Sequence, residues 1–65
     1  MKELTRYAGK RVKIISVRGN EYIGYTIGCT SALDNEGEES IDIRDEKTGK
    51  LYELYESEIV DIIVL

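Results

Sequence analysis

Histidine is absent from this 65-residue chain, and cysteine occurs once, as Cys29. A lone thiol excludes an internal disulfide, and without histidine it leaves no ligand set for a structural zinc ion. The commonest acid–base catalyst is missing too, and so short a chain encloses too little volume for a deep cleft. No enzyme site emerges and no cofactor is implied. Cys29, beside a strand pattern, reads as a small hydrophobe rather than a nucleophile. Phenylalanine and tryptophan are also absent, so Tyr7, Tyr22, Tyr25, Tyr52 and Tyr55 are the whole aromatic inventory. No apolar run approaches the length of a membrane span, and MKELTRYAGK lacks the apolar core of a signal peptide. The expectation is a cytoplasmic protein with no membrane partner.

Residues 1–65 form one domain. A chain this short buries only about 60% of its unfolded surface, so its stability is marginal without some further tie. With disulfide and zinc excluded, self-association is the remaining tie, and a homo-oligomer is expected. The net charge of −4 is unevenly spread. Met1 to Arg18 carries +5 and Gly19 to Leu65 carries −9. Such sorting suits a basic face for an anionic partner, or opposite signs that pair across a sheet.

The strongest local signal is a hairpin over Lys10–Ile27. Val12, Ile14, Ile15 and Val17 are β-branched, and Lys13 alternates with Val12 and Ile14. Ile15 and Val17 have the opposite parity, which requires cover on both faces or a bulge. Gly19-Asn20 supplies the turn. Gly24 interrupts the return run, marking a bend or a close backbone approach. A short N-terminal helix is expected over Met1–Ala8, from the stripe of Leu4, Tyr7 and Ala8 and the stop at Gly9. Gly28–Ser40 reads as a solvated acidic loop. Ile41–Asp45 and Leu51–Tyr55 read as a second hairpin, with Gly49 in the left-handed position of its loop. Glu56-Ser57-Glu58 reads as one tight helical turn. Ile59–Leu65 is a last strand, apolar at six of seven positions, which implies burial on both sides or pairing with another chain. Tyr52 and Tyr55 have opposite parity, so they cannot both be core. The predicted class is mainly β, a short helix plus a strongly bent five-stranded antiparallel barrel.

This order of elements resembles the Sm-like fold, a subset of the SH3-like small barrels. Val12, Ile14 and Ser16 alternate ahead of Gly19, with Gly24 five residues on, as in the first Sm motif. Ile59-Val60-Asp61-Ile62 is similar to the apolar end of the second. The resemblance implies the fold and a tendency to oligomerise. It does not extend to the family's RNA site. Asp34-Asn35 stand too far beyond Gly24 and adjacent to each other, and Tyr55-Glu56 occupies the place of the cationic Arg-Gly or Lys-His pair.

Two functions follow. The first is a non-catalytic interaction module that self-associates through strand edges, with Ile59, Ile62 and Val64 as the interface, and binds a protein partner. The alternative is an Sm-like RNA-binding protein using Lys10, Arg11, Lys13 and Arg18.

Overall fold

The computed structural model describes residues 4–30 and 37–65, which form one antiparallel sheet of five strands. These are β1 (Arg11–Ser16), β2 (Glu21–Thr30), β3 (Ser40–Asp45), β4 (Leu51–Tyr55) and β5 (Ile59–Val64). Their order across the sheet is β4-β3-β2-β1-β5. Mainly β, antiparallel and five-stranded are thus as expected. Closure is not: β4 and β5 stand at opposite ends of the sheet and leave it open. A 3-10 turn, Glu56–Glu58, carries the chain from one edge to the other, as its tight-turn sequence predicted. It is tied at both ends, because Glu56 N–H donates to the Glu39 carbonyl and Val17 N–H donates to the Glu58 carbonyl. The corner is therefore held by the backbone, without a β4–β5 ladder.

The expected N-terminal helix is a four-residue 3-10 turn, Leu4–Tyr7, and Met1–Glu3 lie outside the described residues. So short a segment cannot sustain an α-helix alone, and packing decides its shape. Leu4 is fully buried, and its N–H donates to Glu39 Oε1 at 3.1 Å. Thr26, itself buried, donates its hydroxyl to the Tyr7 carbonyl and accepts Lys10 N–H at 3.1 Å. The turn is held as a plug on β2 and β3.

One core forms from Leu4, Val12, Ile14, Ile41, Ile43, Leu54, Ile59 and Ile62. Leu54 and Ile62 belong to opposite edge strands, so the sheet curls over onto its own inner face. At Gly24 the β3 backbone presses on β2: a Cβ there would strike the Arg44 carbonyl. Of the two readings of that glycine, the close approach is supported. The β2 bulge comes later, at Ile27, where pairing steps from Thr26↔Ile43 to Gly28↔Asp42. That step lets Gly28, Cys29 and Thr30 continue the ladder as far as Thr30↔Ser40, so β2 is longer than expected and Gly28–Ser40 is not all loop.

Within that stretch, Glu38 and Glu39 are half-buried and receive backbone N–H groups, Ser57 at 2.7 Å and Leu4 at 3.1 Å. Asp34 and Asn35 lie outside the described residues. In β1 the inward residues keep simple alternation. Ile15 is half-buried on the other face and Val17 lies past the strand end, 59% exposed, so neither expected device acts on them and the bulge falls on the neighbouring strand instead. Ser16 pairs with Ile59 and Ile15 with Asp61, so Val60 is the extra residue. Without that bulge Ile59 and Ile62 could not both face inward. Gly49, at φ 74°, takes the left-handed position as predicted. Tyr22 and Tyr52 pack together against the core with ring centres 4.9 Å apart, whereas Tyr25 is 58% exposed.

Candidate assembly interface

The two open edges differ in what they offer. Along an antiparallel ladder, residues alternately bond to their neighbour and point their N–H and C=O groups away. Asp45 N–H donates to the Lys50 carbonyl, which fixes the phase of β3–β4. Leu51, Glu53 and Tyr55 therefore turn their backbone groups outward from β4. Leu65 N–H donates to the Arg11 carbonyl, so Ile62 and Val64 turn theirs outward from β5.

Two of these outward N–H groups are already taken by carboxylates close by in sequence. Glu58 Oε1 accepts Tyr55 N–H at 3.0 Å, and Asp61 Oδ1 accepts Ile62 N–H at 2.9 Å. Ile59 N–H is used by the Glu56 carbonyl within the 3-10 turn. Among the described residues, the N–H groups of Leu51 and Glu53 on β4 and of Val64 on β5 have no partner.

Side chains sharpen the contrast. Val60, Ile63, Val64 and Leu65 are each 42–55% exposed and lie on or just beyond β5, while β4 presents Leu51 alone. Of the three interface residues named from sequence, Val64 is exposed, but Ile59 and Ile62 are core residues of their own chain. Their side chains are committed inward, and only their backbone lies at the edge. The bulge at Val60 explains the difference, since it shifts inward positions to a spacing that simple alternation does not give.

The basic cluster is dispersed. Lys10 and Arg18 flank β1 at opposite ends, about 20 Å apart. Arg11 is bound to Glu46 by two hydrogen bonds, Nε to Oε2 at 2.6 Å and Nη2 to Oε1 at 3.0 Å. Lys13 Nζ lies 3.4 Å from Glu21 Oε1. Opposite charges pairing across the sheet thus account for two of the four cations. The Arg11 hydrogen bonds hold the Glu46 carboxyl below the ordinary glutamate value, and the same contact raises Arg11. Tyr25 stands between Arg11 and Arg44 in register on the outer face. Cys29 is half-buried against the core.

Sequence reasoning missed Asp61 and Glu58. A signal was present for each. Asp61 is the single charge in Ile59–Leu65, and Glu58 follows Tyr55 at the three-residue spacing of a capping acid. No family model, no curated protein and no solved structure matches this chain. Among the described residues no helix is long and apolar enough to cross a membrane.

Proposed function

We propose that this chain is a non-catalytic interaction module of the Sm-like or SH3-like small-barrel type, which self-associates through its sheet edges and binds protein. The observation that carries this reading is the apolar end of β5, where Val60, Ile63, Val64 and Leu65 are exposed beside an open edge. An open edge flanked by apolar side chains is a template for a further strand. Small size adds a motive, since burying that surface supplies the stability that one small core lacks.

Native mass spectrometry of protein purified without nuclease tests the reading, with Val64→Lys as the variant. Val64 is half exposed, so a charge there leaves the core intact, whereas Ile62→Lys would unfold the chain. Concentration-dependent oligomers that Val64→Lys disperses are expected. Association and folding both unchanged in Val64→Lys would remove the β5 edge. The RNA-binding alternative, through Lys10, Arg11, Lys13 and Arg18, predicts co-purifying oligonucleotide that is released steeply by salt. The pairing of Arg11 with Glu46 and of Lys13 with Glu21 weighs against it.

A further inference from the structure

Self-association through β5 has a specific geometry if the partner is a second copy. An edge strand set antiparallel to itself is self-complementary, so a two-fold axis can generate the contact. The outward groups of β5 belong to Ile62 and Val64, and they dictate the register. The register that engages both of these residues in each copy sets Ile62 opposite Val64 of the other and Ile63 opposite itself at the axis, whereas Ile62 opposite Ile62 would leave Val64 facing the bulged Val60. Ile63 and Leu65 share the outer face with Asp61 in this ladder, so the two Ile63 side chains would meet there. Ile63 is 42% exposed and free to make that contact.

Asp61 stands in the way. Its Oδ1 holds the Ile62 N–H at 2.9 Å, which is the donor this register needs from each copy. Two of the four hydrogen bonds of the central rings are therefore blocked while both carboxylates keep their places. The segment IVDIIV otherwise has the β-branched, apolar character that drives unwanted strand addition. Its single charge falls where it covers an edge donor. Glu58 does the same for Tyr55 N–H on the opposite edge.

We propose that Asp61 is an edge guard: its carboxylate occupies the Ile62 N–H and thereby weakens two-fold β5–β5 pairing between copies of this chain, centred on Ile63. The proposal rests on the self-association reading and adds to it a register, a symmetry and a controlling residue. An acid at this position makes pairing reversible. The exposed apolar residues favour contact, and the guarded donors withhold the ladder that would make it permanent.

Three experiments on the full chain test it. In a Cys29→Ser background, Ile63→Cys should form a disulfide-linked dimer under oxidised glutathione, because residues facing each other in a non-hydrogen-bonded antiparallel pair stand close enough to cross-link. Glu53→Cys on β4 should not. Sedimentation equilibrium should show Asp61→Ala associating roughly tenfold more tightly, from one restored hydrogen bond per copy. Asp61→Asn keeps an acceptor oxygen and should stay near the wild type. Amide exchange at Ile62, measured in dilute monomer, should quicken in Asp61→Ala alone.

Association without cross-linking at Ile63, or with cross-linking at Glu53 instead, would overturn the two-fold register and leave self-association standing. Equal affinity in the alanine and asparagine variants would assign the effect to charge and overturn the guard. A chain that stays monomeric in every variant at millimolar concentration would overturn the self-association reading itself.

Discussion

Thr26→Val isolates the tie that docks the N-terminal turn. Thr26 is 3% exposed, and valine keeps its shape while removing one hydroxyl. That hydroxyl serves two backbone groups, donating to the Tyr7 carbonyl and accepting Lys10 N–H. The Thr26 backbone adds two bonds to the same segment, N–H to the Lys10 carbonyl at 3.0 Å and carbonyl from Gly9 N–H at 3.1 Å, and these survive the substitution. Leaving a buried polar group unpaired costs about 1–3 kcal/mol, and both groups here are only part-buried. The low end for each gives about 2 kcal/mol in total. A domain of this size has about 3–10 kcal/mol to lose, so the midpoint of thermal unfolding should fall by about 8–16 °C. Thr26→Ser keeps the hydroxyl and loses a methyl group, at about 1 kcal/mol. The assay is thermal and urea unfolding at one fixed low protein concentration, so that association does not contribute. Thr26→Val as stable as wild type, or more stable than Thr26→Ser, would refute the role given to the hydroxyl.

Leu4→Ala removes a fully buried side chain from the same turn and should cost about 2–5 kcal/mol, read from the urea midpoint. Gly24→Ala should be more damaging than its one added methyl suggests. The obstacle is the Arg44 carbonyl in a paired strand, and neither backbone can yield cheaply. Circular dichroism should show a loss of cooperative unfolding, and a wild-type melt would contradict the close approach. Stability should also fall in acid. Glu38 is held below the ordinary value of 4.5 by hydrogen bonds from the Ser57 hydroxyl and N–H, and Glu46 by those from Arg11. A lowered folded-state value contributes stability that is present above 4.5 and lost as pH falls through the shifted value. Melting temperature should therefore decline from about pH 4.5 downward, and Glu38→Gln with Glu46→Gln should flatten that slope.

Much of the fold was legible because it is written in local chemistry. Alternation of Val12 and Ile14 around Lys13, and of Ile41 and Ile43 around Asp42, sets strand faces through the two-residue period of an extended chain. Gly49 and Gly19 mark turns because both lie at positive φ. The acids of Glu56-Ser57-Glu58 break the strand pattern and become the corner. The N-terminal helix was overestimated because a stripe of three residues cannot say whether so few turns will hold, whereas docking onto Thr26 and Glu39 can.

The candidate interface was half legible. That Ile59–Leu65 would be an apolar edge follows from composition alone, but which of its side chains face inward does not. One extra residue at Val60 shifts the phase, just where β5 leaves the 3-10 corner and takes up its pairing with β1. Likewise the sequence sorts its charges but cannot pair them. Arg11 meets Glu46, thirty-five residues away, only because β1 and β3 pair in register with β2, the one strand between them. Sequence by itself determined strands, turns and an apolar last segment, since these depend on neighbours along the chain. Tertiary structure alone decided the open sheet, the inward commitment of Ile59 and Ile62, and which backbone donors are left at an edge for a neighbouring carboxylate to cover. Each of those depends on where a distant strand stops pairing.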